Sequence, residues 1–538
     1  MKRLSDSETV RRVGALSDLV GSILEKTGSV NEPPHAVRFS GVARGRETSR
    51  NLDWSPRSLA LSSRTPRLEP PVRGAHPCYA GARPDLPPLN PVGPLAHAPH
   101  HTDRRYRQTM TDSTADHREP EWVAHAIWWR LYPLGFVGAF PQTAAGAASV
   151  DEHRLLRILP WLDHVIELGA SGIALGPVFA SSTHGYDTLD HLRIDPRLGS
   201  DADFDTLVTQ AHARGLRVQL DGVFNHVGRE HPVVASGSDV LRRDASGGLV
   251  PFEGHGALVE LDHAHPETQR LVVEVMRHWL DRGVDAWRLD AAYRVPPRFW
   301  ASVLAEVRRT HPDSWFEAEV IHGDYTEFVR DSTVDSVTQY QLWKAIWSSI
   351  EDRNFWELAW AVKRHGEMLR DFAPSTFIGN HDVTRIATTI RDSRHLPHAV
   401  VLLAMLGGTP TVYAGDEWGF RGVKEERAGG DDAIRPEFPV GGPDSLQMPD
   451  LGLASLYAEL LGLRRRHPWL HRATTSVPRA LSNVHLEVDV ELDDQRLTIA
   501  LNLADEAMPL RQGKLLAADS VTRTRVGSLA GHGWAIVG

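Results

Sequence analysis

Length, composition and charge exclude several classes of protein before any motif is considered. The 538 residues are too many for one ordinary core, but they suit a large domain, a smaller domain and a tail. The formal net charge is -10 and the sequence pI is near 6.3, so neither nucleic acid nor an anionic membrane is an expected partner. The single cysteine, Cys78, excludes an intrachain disulfide and a cysteine-based metal cluster, and it favours a cytoplasmic protein.

Residues 1–119 are predicted to form a disordered N-terminal extension. They are rich in Pro, Arg, Ser, Gly and His, and they carry neither a sustained apolar period nor a recognisable signal peptide or membrane span. Two hypotheses stay open for this segment. It is either a genuine flexible tail, or translation starts at Met110, from which a short polar stretch leads into the first predicted strand.

From Ala124 onward, short apolar runs alternate with segments of helical periodicity, which is the pattern of β-α units around a parallel sheet. The predicted strands are Ala126–Leu131, Gly172–Leu175, Leu216–Leu220, Val284–Leu289, Trp315–Ala318, Ser336–Gln339, Ser375–Ile378 and Thr409–Tyr413. The predicted helices include Asp151–Leu168, Ala202–Arg214, Pro266–Arg282, Pro297–Arg309, Asp352–Leu369 and Leu396–Leu406. Eight such strands predict a (β/α)8 TIM barrel.

The barrel is predicted to extend over residues 120–468, with a short loop-rich insertion, residues 227–265, after strand 3. Residues 469–538 follow a different pattern, because apolar and polar side chains alternate there in three segments. These segments are Ser482–Val490, Arg496–Asn502 and Gly533–Val537. They predict a C-terminal antiparallel β-sandwich domain.

Polar residues follow four of the predicted barrel strands, at the carboxyl ends where barrel enzymes place their catalytic groups. Strand 3 leads into DGVFNH (221–226), strand 4 into GVDAWRLDAAY (283–293), strand 5 into FEAEVIHGDY (316–325) and strand 7 into FIGNHDVTR (377–385). Each segment contains a carboxylate. The pattern therefore indicates one acidic site at the mouth of the barrel.

Arg288 and Asp290 are two residues apart on one strand, so their side chains point to the same side. An adjacent guanidinium lowers the pKa of a carboxyl group, which would keep Asp290 ionised as a nucleophile. Glu319 ends the next strand and is placed to face Asp290; drier surroundings would raise its pKa so that it donates a proton. A gap of about 5 to 5.5 Å between the two carboxyl groups would indicate a covalent glycosyl intermediate and retained configuration.

Over roughly residues 124–538 the sequence resembles glycoside hydrolase family 13, the α-amylase family. The residues that match its four signature regions are, in chain order, Asp221, Asn225 and His226, then Arg288 and Asp290, then Glu319, then His381 and Asp382. The resemblance implies that Asp290 is the nucleophile and Glu319 the general acid/base. It implies that Asp382 grips sugar hydroxyls and helps to distort the ring.

The resemblance also implies substrate-binding roles. Tyr186, within THGYDTLDH (183–191), would stack on the sugar at the cleavage point. Asp187 and Arg435 would clasp the non-reducing end, which favours a pocket over an open cleft. His322 would line the acceptor side, and two histidines beside strand-end asparagines would donate hydrogen bonds to the sugar. The predicted substrate-binding set is Tyr186, Asp187, Asp221, His226, Arg288, His322, His381 and Arg435.

No metal or other cofactor is predicted. Many secreted α-amylases hold Ca²⁺ partly through a histidine just beyond the nucleophile, and Arg294 occupies that place here. Asn225 and Glu260 offer oxygen ligands of the kind that Ca²⁺ prefers. An arginine beside them opposes a cation, so calcium is not part of the prediction.

The sequence therefore predicts a retaining glycoside hydrolase that acts on α-glucosidic bonds, with α-1,4 bonds favoured, in maltodextrins or related oligosaccharides. One alternative is an α-glucan transglycosylase or a trehalose-type isomerase, which would use the same carboxylates with a different acceptor. Another is a non-catalytic sugar-binding barrel, against which the intact Asp290 and Glu319 argue. The expected partner is the α-glucan substrate, and the oligomeric state is left open.

Overall fold

The structure is a computed structural model, and it describes residues 119–139, 152–427, 429–447, 451–476 and 481–538. The predicted N-terminal extension, residues 1–119, lies outside these ranges apart from Glu119. The hypothesis about Met110 lies outside them as well.

Eight parallel strands form the predicted barrel. They are β1 (Trp128–Leu131), β2 (Gly172–Leu175), β3 (Arg217–Gly222), β4 (Ala286–Leu289), β5 (Trp315–Ala318), β6 (Ser336–Val337), β7 (Ser375–Phe377) and β8 (Thr409–Tyr413). Their hydrogen-bonded order is β6-β5-β4-β3-β2-β1-β8-β7, and a parallel bridge between Thr338 and Ser375 joins the two ends. The (β/α)8 prediction is confirmed, and the observed strands differ from the predicted ones by two residues or fewer at each end.

The register of the central strands sets the layers of side chains inside the barrel. Asp221 on β3 pairs with Arg288 on β4, which pairs with Glu317 on β5. Since side chains in register on neighbouring parallel strands point the same way, these three form one row. Asp290 comes two residues after Arg288, and Glu319 two residues after Glu317. Their side chains therefore point the same way as that row, one layer nearer to the mouth.

Helices cover the outside of the sheet, so the strands are buried on both faces. The helices of six or more residues in the described ranges are α1 (Leu162–Glu167), α2 (Asp201–Ala213), α3 (Pro266–Asp281), α4 (Pro297–Arg308), α5 (Tyr325–Ser332), α6 (Tyr340–Glu351), α7 (Trp356–Met368), α8 (Leu396–Met405) and α9 (Leu453–Arg465). Ser200 and Asp203 start α2 with a reciprocal capping box. The predicted helix Asp151–Leu168 differs most, because a 3-10 helix, Arg154–Trp161, precedes α1.

The insertion after β3 has more order than its composition predicts. His226–Gly228 and Leu258–Glu260 pair as an antiparallel hairpin. Its residues enclose a small apolar cluster of their own, formed by Val227, Val233, Val240, Leu241, Val259 and Leu261. The insertion is therefore a small folded unit beside the barrel mouth.

The C-terminal region contains a five-stranded antiparallel sheet and a two-stranded sheet. The larger one comprises β9 (Thr474–Thr475), β10 (His485–Leu492), β11 (Gln495–Asn502), β12 (Leu515–Ala518) and β13 (Trp534–Val537), in the order β9-β10-β11-β13-β12. Met508–Pro509 and Ser528–Leu529 form the smaller one. The antiparallel prediction is confirmed, although β12 was not predicted. The domain boundaries at 120, 468 and 469 stay predictions.

Arg464 of α9 connects this helix to the chain at the end of α8. Its guanidinium donates to the carbonyl oxygens of Ala404 at 2.8 Å and Leu406 at 2.7 Å, and also to that of Gly408. Ala404 lies in the last turn of α8, and Leu406 and Gly408 follow it; the carbonyls at the end of a helix have no partners within that helix. Burial lowers the pKa of Arg464 to about 9. Burial thus opposes the charged form of this guanidinium, and its hydrogen bonds to the three carbonyl oxygens offset that cost.

We expect Arg464→Met to lower the free energy of unfolding by about 2 kcal/mol or more, because three buried carbonyl oxygens lose their donor. Urea unfolding followed by circular dichroism measures this. The matched control is Arg465→Met, since Arg465 is exposed and its truncation should change stability by less than about 0.5 kcal/mol. Equal effects of the two substitutions would contradict the assignment.

Candidate active site

Arg288 is the centre of the candidate site. Its Nη1 lies 2.8 and 2.9 Å from the two carboxylate oxygens of Asp221 and 2.9 Å from Oδ1 of Asp290. Its Nη2 lies 2.6 Å from Oε1 of Glu319. One buried guanidinium thus binds carboxylates from β3, β4 and β5. Side-chain exposure of 11% or less for all four groups means that this network has little water around it.

The orientation of Glu319 is fixed by two further donors. The backbone N–H of Ala291 donates to Oε2 at 2.9 Å, and the hydroxyl of Tyr340 donates to Oε1 at 3.2 Å. Ala291 has a left-handed backbone, with φ 45° and ψ 35°, which a residue with a Cβ adopts at a cost. The strained turn directly after Asp290 therefore aims a backbone donor at Glu319.

A second group of residues forms the wall next to this network. The hydroxyl of Tyr186 donates to Oδ2 of Asp221 at 3.2 Å and also contacts Nε2 of His381. That nitrogen lies 3.1 Å from Oδ2 of Asp382, whose Oδ1 accepts from Arg435 at 3.0 Å. The chain of contacts joins the two groups into one continuous polar surface.

Arg435 also holds the loop around it. Its Nε donates to the carbonyl of His381 at 2.8 Å, and its Nη2 lies 2.8 Å from Oδ2 of Asp431. Its guanidinium stacks over the ring of Tyr132, 4.5 Å from the centroid. Arg435 therefore orients Asp382 from the segment that follows β8.

Asp187 and His226 lie close to Tyr186 but outside the Arg288 network. Nε2 of His226 donates to the carbonyl of Tyr186 at 3.0 Å, so this histidine supports the Tyr186 loop. Oδ2 of Asp187 accepts from Thr183 at 2.6 Å. Its buried Oδ1 accepts no hydrogen bond from any residue that the structure describes. Nδ1 of His184 lies 3.9 Å from that oxygen.

His322 is separated from the carboxylates. It is exposed, and its ring packs edge-on against Tyr293 at 5.3 Å. Tyr293 in turn donates to Glu253 of the insertion at 2.8 Å. This arrangement places His322 on a rim shared with the insertion. Its predicted role on the acceptor side stays a prediction.

Burial governs the ionisation of the two central acids. It raises the pKa of Asp290 well above the ordinary aspartate value, and the neighbouring Glu319 and Asp221 raise it further. Arg288 lowers this pKa as predicted, but it does not set the net direction, so the expectation of a low pKa for Asp290 is wrong. Burial also raises the pKa of Glu319, in the predicted direction.

Asp382 behaves differently. Burial raises its pKa, but the imidazole of His381 and the guanidinium of Arg435 lower it further than burial raises it. Five carboxyl groups lie among three guanidinium groups here, since Asp221, Asp290, Glu317, Glu319 and Asp382 are paired with Arg130, Arg288 and Arg435. This excess of negative charge favours a ligand or transition state that develops positive charge.

Glu260, one of the two candidate calcium ligands, is already paired with positive charge. The carboxylate of Glu260 is bound by two guanidinium groups, from Arg242 at 2.6 Å and from Arg294 at 3.3 Å. The side-chain nitrogen of Asn225 lies 3.2 Å from Nδ1 of His226. Positive charge is therefore already supplied to Glu260 by the protein.

Sequence reasoning missed several residues of the site. Tyr340 reaches Glu319 from the first turn of α6, and Nδ2 of Asn380 donates to the Tyr340 hydroxyl at 3.0 Å. Beneath the site, Arg130 contacts Glu317 at 3.1 Å and Gln219 at 3.3 Å. Inward-facing polar residues on β1, β3 and β5 are a signal that could have identified this lower layer.

The family model and the similar proteins that match this chain agree with each other. The model of the alpha amylase catalytic domain matches residues 155–242 and 252–439, which amounts to about half of the chain. A cyclomaltodextrinase from Geobacillus thermopakistaniensis is 28% identical over 430 residues, covering 72% of this chain and 70% of that protein. An intracellular maltogenic amylase from Bacillus subtilis is 28% identical over 338 residues, covering 57% of each protein. The match thus spans little more than half of some relatives.

Solved structures support the fold. A cyclic α-maltosyl-(1→6)-maltose hydrolase from Arthrobacter globiformis has a TM-score of 0.63 at 23% identity, covering 78% of this chain and 99% of that one. A debranching enzyme from Nostoc punctiforme has a TM-score of 0.65 at 23% identity, covering 79% and 100%. Among the described residues, the helices are all too short or too polar to cross a membrane.

We expect Arg288→Gln to lower kcat/KM by about 10²- to 10³-fold and to move the acidic limb of the pH-rate profile to higher pH. Arg288 lowers the pKa of Asp290, so its removal raises that pKa, and more of the carboxyl group is protonated at a given acidic pH. Initial rates from pH 4 to 9 measure the shift. The control is Arg294→Gln, which removes a guanidinium that pairs with Glu260 and not with Asp290. If the acidic limb of the pH-rate profile in Arg288→Gln stays at the same pH or moves to lower pH, Arg288 does not lower the pKa of Asp290.

Proposed function

The chain belongs to the α-amylase family, and from this premise we propose that it is a retaining glycoside hydrolase of α-glucosidic bonds. The proposed substrates are maltodextrins or related oligosaccharides, with α-1,4 bonds favoured. The observation that carries the proposal is the contact of Asp290 and Glu319 with neighbouring nitrogens of one guanidinium. Two carboxyl groups that share one guanidinium are held near each other, and a short separation of this kind favours a covalent intermediate.

The first half of the reaction uses both acids. The protonated carboxyl group of Glu319 donates its proton to the glycosidic oxygen, and the bond from that oxygen to the anomeric carbon breaks. Arg288 favours the ionised form of Asp290 against the effect of burial, and that carboxylate attacks the same carbon and forms a glycosyl ester. Burial raises the pKa of Glu319, which favours the protonated form that this step needs, and the excess negative charge stabilises the positive charge that develops on the sugar.

The second half reverses the roles. Glu319, now ionised, takes a proton from water while the water oxygen attacks the anomeric carbon. The ester bond to Asp290 breaks, and the product keeps the α configuration. Ala291 N–H and the Tyr340 hydroxyl hold Glu319 in place through both steps. Asp382, kept ionised beside Arg435, accepts hydrogen bonds from sugar hydroxyls.

The substrate class rests on the relatives and on the pocket. Relatives named cyclomaltodextrinase and maltogenic amylase support short α-glucans as substrates. The carboxylate of Asp187 and the guanidinium of Arg435 are hydrogen-bonding groups of the kind that bind the hydroxyls at the end of such a chain. The transglycosylase and isomerase alternatives use the same acids, and these names do not favour them.

The proposal includes no calcium at Glu260, since Arg242 and Arg294 already neutralise its carboxylate. It also includes a cytoplasmic location. A single cysteine in 538 residues and a relative named an intracellular maltogenic amylase support this location.

The test is to incubate the protein with maltotriose, trehalose, isomaltose and soluble starch and to follow products and their anomeric configuration by proton NMR. We expect α-configured glucose or maltose as the first products. Asp290→Asn should reduce the rate by at least about a thousandfold, because the nucleophile is lost. The matched control is Asp352→Asn, at an exposed position that ends α6, with an unchanged rate.

First products of the β configuration would contradict the retaining mechanism. Longer or isomeric sugars in place of hydrolysis products would assign the protein to the transferases. A protein that binds these sugars without turning any of them over would overturn the catalytic proposal.

We expect Asp187→Ala to reduce kcat/KM for maltotriose by about tenfold and that for soluble starch by clearly less, because a short substrate depends most on contacts at its end. Steady-state kinetics with both substrates measure the two ratios. Thr183→Val is the control, since it removes the hydrogen bond to Asp187 and keeps the carboxylate. Equal losses for both substrates would argue against a closed pocket.

A further inference from the structure

Two tryptophans on helix α7 leave their indole rings in solvent. Trp356 is 53% exposed and Trp360 is 60% exposed. The other large hydrophobic side chains that are exposed in the described ranges are aliphatic, so these two rings stand apart. Removing an indole from water is strongly favourable, and adjacent exposed rings indicate a surface that binds a ligand.

The two rings lie on one face of the helix. Positions four apart are neighbours on a helix surface, with Cβ atoms about 5–6 Å apart. Arg364 follows after four more residues, and its guanidinium carbon lies 4.7 Å from the centroid of the Trp360 ring. The face therefore presents two flat rings followed by a hydrogen-bond donor.

Trp356 is held in its orientation by the C-terminal region. Its indole N–H donates to Oδ1 of Asn483 at 2.9 Å. The backbone carbonyl of Asn483 accepts from the N–H of Phe355 at 3.0 Å, which fixes the asparagine against the start of α7. A ring that is already ordered loses little conformational entropy when a ligand stacks on it.

The composition of this face suits a sugar chain better than a protein. A pyranose ring has apolar C–H faces that stack on an indole and hydroxyl groups at its edge that need polar partners. Arg364 and Asn483 supply such partners, because their side chains contact Trp360 and Trp356. Because Trp356 is 53% and Trp360 60% exposed, a ligand can cover only about 170–280 Å² of the two side chains. A standard protein interface needs about 800 Å² per partner and an apolar core.

We propose that Trp356 and Trp360 form a second α-glucan-binding site, on which two successive glucosyl units of one chain stack. The choice of α-glucan as the ligand rests on the proposed function. Both rings project from the outer helix α7, and Trp356 is bound to Asn483 of the C-terminal region, so this site is distinct from the Arg288 network on β3, β4 and β5. A polymer held here has a raised effective concentration at the barrel mouth, whereas a trisaccharide bound at the active site gains nothing.

The test is affinity electrophoresis of the full-length protein in gels that contain soluble starch. We expect the double variant Trp356→Ala/Trp360→Ala to bind starch about tenfold more weakly, and its KM for starch to rise, because both stacking surfaces are lost. Its kcat/KM for maltotriose should stay within about twofold of the parent value. Ile166→Ala on α1 is the matched control, since Ile166 is an exposed apolar side chain of 37% exposure on another helix.

Trp360→Ala is the second variant, because it leaves the Trp356–Asn483 hydrogen bond intact, and it decides the test if the double variant unfolds. Unchanged starch binding in Trp360→Ala and the folded double variant would overturn the proposal. An equal loss of kcat/KM for maltotriose would also overturn it, since the effect would then act on the catalytic site. Size-exclusion chromatography identifies the other outcome: a parent dimer that dissociates in the double variant while starch binding is unchanged means that this face is a protein interface.

Affinity electrophoresis measures starch binding and does not depend on hydrolysis. The test therefore separates the proposed binding site from the proposed hydrolase function. If starch binding depends on the two tryptophans although no α-glucan is hydrolysed, the binding site stands and the proposed hydrolase function fails.

Discussion

The site depends on a single buried guanidinium. Arg288 binds carboxylates from three consecutive strands, and among the described residues it is the guanidinium that pairs with Asp290 and Glu319, whereas Asp221 also has Arg130 at 4.0 Å. Removing one member of such a buried ion pair costs about 3–5 kcal/mol, which exceeds what an exposed pair contributes. The register of β3, β4 and β5 brings these groups together before any substrate is present. The geometry of the acids is thus a property of the barrel and not of a loop.

The same arrangement explains why the site suits glycosidic bond cleavage. Arg288 only partly neutralises the acids around it, and burial raises the pKa values of Asp290 and Glu319. The cluster therefore holds a proton readily, and it gains most when positive charge develops beside it. A sugar that approaches an oxocarbenium ion supplies that charge. Asp382, with its pKa lowered beside Arg435, keeps its negative charge throughout.

The sequence predicted the barrel well because strands buried on both faces leave a strong apolar pattern, as in Trp315–Ala318 and Thr409–Tyr413. It also named the acids that converge on Arg288, since strand-end residues of one barrel must meet at its mouth. The catalytic and binding roles of these residues stay predictions until activity is measured.

Other features depend on tertiary structure that no local pattern carries. The Ala291 N–H bond to Glu319 requires a left-handed turn that the residue type does not favour. Tyr340 comes from a helix after β6, and nothing in its neighbourhood marks it as a partner of Glu319. The pKa of Asp290 was misjudged because its net direction depends on total burial and on the neighbouring acids, while the sequence identified only the neighbouring arginine.

The central claim is that Asp290 forms a covalent bond to the sugar. The most direct measurement is to treat the protein with 5-fluoro-α-glucosyl fluoride, whose ring fluorine slows breakdown of the ester, and to locate the adduct by peptide mass spectrometry. We expect one fluoroglucosyl group per chain, carried by the peptide that contains Asp290. An adduct on Glu319 or Asp382, or α-glucoside turnover without any adduct, would contradict it.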